Sequence, residues 1–153
     1  MLFRSEVPAH LAVAGDGPMR ADLVHRARAK QVDAYLHLLG EREHVEHLYG
    51  GADVFLLTSD AEGIPGVLVE ALMTGCPAVA PAVGAVGEVV RDGETGFLVR
   101  GGADGLAERV VEVLGDPDLA RRMTVRSQQL APEFSTGRAV ARYCELLEEI
   151  VDR

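Results

Sequence analysis

The sequence has few cysteines, no long apolar run and an excess of acidic over basic residues. Its two cysteines, Cys76 and Cys144, are too few for a disulfide framework, so we expect free thiols in or near the core and a reducing compartment. The apolar runs are too short to cross a bilayer, and the first residues do not resemble a signal peptide. These absences favour a cytoplasmic protein without a transmembrane segment.

Positive charge is also scarce. Against 24 Asp and Glu residues the chain has 15 Lys and Arg, which gives a formal net charge of −9. An acidic surface repels phosphate backbones and anionic lipids, so we expect neither nucleic acid nor an anionic membrane surface as a main partner. An anionic small ligand would have to be held locally, by backbone amides or by an individual basic side chain.

What the sequence does contain is an alternation of short apolar runs and helical patterns. Hydrophobic residues make up 48% of the chain, enough for the core of one domain over residues 1–153. Strands are predicted at residues 10–14, 34–39, 53–57, 77–81 and 95–99, and helices at 19–32, 43–49 and 66–74, before two C-terminal helical patterns. This order predicts an α/β fold, a Rossmann-like parallel sheet with helices on both faces.

Glycine-rich or polar clusters follow the predicted strands. They occupy residues 15–18, 40–41, 59–66 and 84–88. Ligands of open α/β sheets bind at the carboxyl ends of the strands, which lie along one edge of the sheet. The sequence therefore predicts a binding site along that edge, although glycine at strand ends also has purely structural uses.

Two glutamates flank the start of a predicted helix. Glu62 lies in the loop after a strand, and Glu70 lies eight positions further on, within the helix. Gly63 and Gly66 let the backbone approach a ligand, Pro65 suits the first helical turn, and the free amides there attract a phosphate. An anion site between two carboxylates suits a sugar nucleotide. The same two residues could equally be a helix cap and a surface charge.

The Gly15-Asp16-Gly17 turn begins like a dinucleotide fingerprint. Arg20 stands where the third glycine belongs, and Pro18 interrupts the turn, so a nicotinamide or flavin site is not favoured. We interpret the segment as a turn close to a ligand phosphate or sugar.

Metal and hydrolase sites are also weakly indicated. His44 and His47 share one helix face, but no third ligand is placed beside them, so we expect a solvated helix face and no metal. Ser59 lacks the flanking glycines of a hydrolase nucleophile.

A longer ordered set of motifs carries a family resemblance. Its centre reads Ser59-x-x-Glu62-Gly63-x-Pro65-Gly66-x-x-x-x-Glu70-Ala71-Leu72-x-x-Gly75-x-Pro77-x-Val79-Ala80. Before it stand Leu11-Ala12-Val13-Ala14-Gly15-Asp16-Gly17-Pro18, Leu39-Gly40 and Leu48-Tyr49-x-x-Ala52-Asp53, and after it Gly84-x-x-Gly87-Glu88 and Thr95-Gly96-Phe97-Leu98-Val99. In this order the motifs resemble the C-terminal, donor-binding half of family 4 of the retaining glycosyltransferases. Those enzymes have the GT-B fold of two Rossmann-like domains.

The resemblance implies a function and a set of site residues. The function is transfer of a sugar from a UDP- or GDP-sugar to an unknown acceptor, with no metal and no cofactor besides the nucleotide-sugar donor. The resemblance implies that Glu70 binds the ribose hydroxyls and that Glu62, as the catalytic residue, contacts the donor sugar. The other implied donor-binding residues are Gly15, Gly17, Leu39, Gly40, Ser59, Gly63, Ile64, Pro65, Gly66 and Val67.

Two departures from the family limit what the chain is expected to do. Residues 1–9 are too short for the family's first strand and helix. In the family, this strand ends in Gly-Arg and the helix region contains Lys-Gly, and that Arg and Lys bind the diphosphate. The N-terminal acceptor domain, an expected partner, is also missing. We therefore expect one GT-B half that lacks its first βα unit and is inactive alone. The alternatives are a non-catalytic sugar-nucleotide-binding fragment and part of a nucleotide-sugar epimerase of the same fold.

A missing first strand would have a structural consequence. In the usual strand order 3-2-1-4-5-6, the first strand lies in the middle of the sheet. The strands predicted at residues 10–14 and 53–57 should then either pair directly or leave an open edge. An open edge would allow copies of the chain to associate with each other.

Overall fold

The structure is a computed structural model that describes residues 7–151. Its strands are β1 (Leu11–Ala14), β2 (Leu36–Gly40), β3 (Phe55–Leu56), β4 (Ala78–Pro81) and β5 (Gly96–Val99). Its α-helices are α1 (Arg20–Ala29), α2 (Glu46–Gly51), α3 (Gly66–Thr74), α4 (Val86–Val89), α5 (Gly102–Gly115), α6 (Pro117–Leu130) and α7 (Thr136–Val151). Short 3₁₀ segments, Asp33–Tyr35 and Ala131–Phe134, precede β2 and α7. Every helix among the described residues is too short or too polar to span a membrane.

The named strands pair only in parallel, which confirms the predicted α/β class. β1 pairs with β2, and β3, β4 and β5 form a second sheet in that order. Parallel neighbours need a crossover connection, and the segments between them contain α1, α3 and α4. In the order 3-2-1-4-5-6, the two sheets correspond to the outer parts 3-2 and 4-5-6.

Of the two arrangements expected for β1 and β3, direct pairing is not found among the described residues. Within residues 7–151, β1 and β3 belong to different sheets, so an open edge on each is the arrangement observed. The prediction that a first βα unit is missing depends partly on residues 1–6, which lie outside the described residues.

The hydrophobic core surrounds β4, which is covered on both faces. Ala78 and Ala80 join a buried cluster with Leu68 of α3, whereas Val79 joins a second cluster with Val110 of α5. This division follows from the alternation of side chains along a strand. Leu68 and Val79 are 0% exposed, and burying a side chain of this size contributes roughly 1.5–3 kcal/mol. The core therefore fixes the elements on either side of the loop that carries Glu62.

The two-stranded sheet and α7 are much less buried. Leu11 of β1 and Leu23 of α1 are exposed, and α7 makes its main contacts with Ala131–Phe134. Large exposed side chains on α7 are Val140, Tyr143, Leu146, Leu147, Ile150 and Val151. The expectation that Cys144 lies in or near the core is wrong, because nothing among the described residues covers this side of α7. Cys76 is buried, as expected.

Some predicted boundaries differ from the observed ones. The strand predicted at 34–39 begins only at Leu36, because Asp33–Tyr35 forms a 3₁₀ turn. α6 was not predicted as a separate helix, although its start carries a recognisable signal. The Asp116 carboxylate accepts hydrogen bonds from the next free amides, and Pro117 occupies the first helical turn.

The two thiols should react at different rates. Burial, followed by the negative charge of Asp53, raises the pKa of Cys76 to about 12, so its reactive thiolate is scarce at neutral pH. Cys144 is exposed. We expect one fast reaction with a disulfide reagent in the native chain and two after denaturation in urea. Cys144→Ser should abolish the fast reaction, and a fast reaction that persists in this variant would contradict the buried position of Cys76.

Candidate functional site

The first turn of α3 presents free backbone amides at the surface. Pro65 is buried and is the residue before the helix, not part of its first turn as predicted; its carbonyl accepts from the Leu68 amide at 3.0 Å. Among residues 7–151, no side chain caps this end. The leading amides of a helix have no partner within it, so those of the exposed Gly66 and Val67 are available donors. With the positive end of the helix dipole, they can hold an anion.

Glu62 is held in place through its backbone. The loop after β4 packs so closely that a Cβ on Gly84 would lie 1.7 Å from the carbonyl oxygen of Glu62. Gly84 also has a φ of +51°, in the left-handed region. The loop that carries Glu62 therefore contacts the loop after β4 directly. This contact positions the half-buried Glu62 residue.

Glu70 lies one turn into α3 and is fixed by a partner on α2. The hydroxyl of Tyr49 donates a hydrogen bond of 3.0 Å to Oε2 of Glu70. Burial, and then the hydrogen bond to Glu70, raise the pKa of Tyr49 to about 12, so the hydroxyl remains a donor at neutral pH. At about 1.5 Å rise per residue, Glu70 lies about 6 Å along the helix from Gly66. The free amides at the start of α3 and this carboxylate are therefore about one helical turn apart.

The ends of β1 and β2 bring a second group of predicted residues together. The Gly15 amide donates to the Gly40 carbonyl at 2.8 Å, which joins the loops after the two strands. The Gly17 amide binds the Asp16 carboxylate at 2.8 Å. The Arg20 guanidinium donates to the Leu38 carbonyl at 3.2 Å, so a cation lies beside the segment that contains Leu39 and Gly40.

The predicted site residues thus form two groups at the carboxyl ends of strands. One group consists of Gly15, Gly17, Leu39 and Gly40, at the ends of β1 and β2. The other follows β3 and contains Ser59, Glu62, Gly63, Ile64, Pro65, Gly66, Val67 and Glu70. Ile64 and Val67 are 58% and 43% exposed, which leaves apolar surface beside the free amides. Tyr49 was not predicted as a site residue, because it contacts Glu70 on another helix, 21 residues further along the sequence.

The histidines on α2 and just before it have ordinary surface contacts. His44 Nδ1 lies 2.9 Å from a carboxylate oxygen of Glu46, and its ring centre lies 6.0 Å from that of His47. A backbone hydrogen bond, and then the contact with His44, lower the pKa of Glu46. Among the residues that the structure describes, no three His, Cys, Asp or Glu side chains are grouped as metal ligands.

Parallel strands covered by helices give this chain the Rossmann-like fold of one half of a GT-B glycosyltransferase, the fold that the resemblance predicted. Residues 2–130 match the family described as Glycosyl transferases group 1. The chain therefore belongs to this glycosyltransferase family.

Individual relatives agree with this assignment. The chain is 31% identical over 141 residues to the N-acetyl-alpha-D-glucosaminyl L-malate synthase of Bacillus anthracis, a match that covers 91% of the chain and 37% of that enzyme. It is 34% identical over 137 residues to a glycogen synthase of Mycobacterium tuberculosis, covering 87% of the chain and 33% of the enzyme.

A solved structure supports the fold independently. Anabaena HepE, crystallised in complex with UDP, superposes with a TM-score of 0.85 at 24% identity, over 92% of this chain and 41% of HepE. The chain spans between 33% and 41% of the length of these three proteins.

Proposed function

We propose that this chain binds a nucleotide-sugar donor and supplies the donor half of a retaining glycosyltransferase. The observation that carries the proposal is the unit formed by β3, its loop and α3. In this unit Glu62 lies in the loop before the free amides of α3, and Glu70 lies one turn after them. In this family member, Glu70 binds the ribose hydroxyls, Glu62 contacts the sugar, and the amides of Gly66 and Val67 meet the diphosphate.

The chemistry would consist mainly of stabilising the leaving group. When the bond from the sugar to the diphosphate breaks, negative charge develops on the diphosphate, and preorganised donors lower the energy of that charge. The amides at the start of α3 are such donors, and they act locally despite the net charge of −9. The proposal requires no divalent metal, so addition of EDTA should leave donor binding unchanged.

The proposal includes a second domain and a reducing, cytoplasmic environment. Relatives are more than twice as long as this chain, and exposed apolar side chains on α1 and α7 offer surfaces that an acceptor-binding domain could cover. Cys76 and Cys144 are both free thiols, which suits a reducing compartment.

A binding screen tests the proposal directly. NMR titration of the chain with UDP, GDP and ADP should shift the amide signals of Gly66, Val67 and Glu70 for at least one nucleotide. Inorganic pyrophosphate is the control, because it has the charge but neither ribose nor base. We expect it to shift the signals of Gly66 and Val67 but not that of Glu70. No shift at millimolar nucleotide, or shifts confined to residues far from α3, would contradict the proposal.

Sugar transfer by the chain alone is expected to be undetectable. Positioning of both substrates can contribute roughly 7–11 kcal/mol to catalysis, and this chain contains only the proposed donor side. Incubation with UDP- and GDP-sugars should give at most slow release of free sugar. Robust transfer to an added acceptor would contradict the proposal that this chain supplies only the donor half.

A further inference from the structure

Tyr49 is anchored in the core although it reaches the surface of the candidate site. It is 8% exposed, and its ring packs edge-on against Phe55 with the ring centres 5.6 Å apart. Ala71 of α3 and Cys76 complete the buried cluster around it. The ring therefore has little freedom, and the position of its hydroxyl is set by the core.

Glu70, in contrast, is an exposed residue on the surface of α3. A long side chain of this kind loses rotamer entropy when it is fixed in one conformation. In this chain Glu70 is held before any ligand arrives, because the anchored Tyr49 hydroxyl donates to its Oε2 at 3.0 Å. A carboxylate offers about four lone-pair sites, so one hydrogen bond from a tyrosine leaves enough acceptors for two further hydroxyl groups.

We propose that Tyr49 is a positioning residue for recognition of the ribose. Its hydroxyl holds Glu70 in the orientation that accepts the vicinal 2′- and 3′-hydroxyls of a nucleoside diphosphate. The inference rests on the proposed function, in which Glu70 contacts the ribose. Tyr49 itself does not touch the nucleotide; it acts through Glu70 by fixing the carboxylate in advance.

The test compares hydroxyl removal at two tyrosines. Tyr49→Phe keeps the ring in the core and removes only the donor, and Tyr143→Phe is the matched control, because Tyr143 is 70% exposed on α7. Affinity is measured by NMR titration for the tightest binder among UDP, GDP and ADP, and for its 2′-deoxy form. We expect Tyr49→Phe to weaken binding of the ribonucleotide three- to tenfold and that of the deoxy form by less. Tyr143→Phe should change neither.

A double-mutant cycle separates positioning from a general structural effect. In a Glu70→Ala background there is no carboxylate to position, so adding Tyr49→Phe should cause no further loss of affinity. Equal losses in both backgrounds, or equal losses for the ribo and deoxy ligands, would overturn the inference. Melting curves of each variant show whether a loss of affinity follows a loss of folding.

The cycle also distinguishes failure of the positioning role of Tyr49 from failure of the proposed function on which it rests. If Glu70→Ala weakens nucleotide binding but Tyr49→Phe does not, the positioning role is wrong and the proposed function stands. If Glu70→Ala leaves nucleotide binding unchanged, the ribose contact is wrong, and both the proposed site and the role of Tyr49 fail.

Discussion

Replacement of Gly84 by alanine is expected to lower the melting temperature of the chain by roughly 4–20 °C. The left-handed backbone, with a φ of +51°, costs a residue with a side chain roughly 1–2 kcal/mol. The new Cβ would lie 1.7 Å from the carbonyl oxygen of Glu62, so the two loops must separate, which costs roughly 1–3 kcal/mol more. For a domain of this size, each kcal/mol corresponds to about 2–4 °C.

Gly93→Ala provides the matched control. Gly93 has a φ of +74°, but a Cβ there would meet nothing within 4 Å. Only the backbone cost then applies, and the melting temperature should fall by roughly 2–8 °C. The difference between the two variants isolates the contact between Gly84 and Glu62.

The same comparison has a consequence for the site. If the loop after β4 positions Glu62, then Gly84→Ala should weaken binding of a nucleotide sugar at temperatures where the variant is still folded, whereas Gly93→Ala should not. Equal melting temperatures and equal affinities for the two variants would show that the close packing of the loops does not exist in solution.

The α3 region could be predicted from sequence because its signals are local. Pro65 favours the start of a helix, and Gly75, which adopts a φ of +83°, ends it. The predicted bounds of α3, 66–74, agree with the structure. The buried strands could be predicted for the same reason, since β4 consists of apolar residues in a continuous run and is buried along most of its length.

The features that sequence did not predict depend on contacts between distant segments. A helical period identifies the apolar stripe of α7, but it cannot say whether another element covers that stripe, so Cys144 was wrongly assigned to the core. The contact of Gly84 with Glu62 and that of Tyr49 with Glu70 each join separate elements. Neither pair has a spacing that a motif or a period could reveal.

The resemblance contributed what physical patterns could not. Spacing alone left Glu62 and Glu70 open to a purely structural interpretation, as a cap and a surface charge. The structure argues against the first part of that interpretation, because Glu62 makes no capping hydrogen bond to α3. The roles of the two glutamates toward a nucleotide sugar stay predictions, which two substitutions test separately.

Glu70→Ala is expected to weaken binding of a nucleoside diphosphate about 10- to 150-fold. Hydrogen bonds to a charged group contribute roughly 1.5–3 kcal/mol, and every 1.4 kcal/mol corresponds to a factor of ten. Because the ribose is present in both ligands, the nucleotide sugar should be affected equally. Glu148→Ala on α7 serves as the control, since it removes the same charge from an exposed position on another helix.

Glu62→Ala should behave differently, because Glu62 is proposed to contact only the sugar. It should leave binding of the bare diphosphate almost unchanged and weaken binding of the nucleotide sugar. Calorimetric or NMR titration of both variants with both ligands gives four affinities. For each variant, the ratio of the affinities for the two ligands shows whether the residue contacts the ribose or only the sugar. A loss that merely reflects unfolding would lower both affinities together and would appear in the melting curves. Equal effects of Glu62→Ala on the two ligands would therefore contradict the proposed contact between Glu62 and the sugar, even if Glu70 proves to bind the ribose.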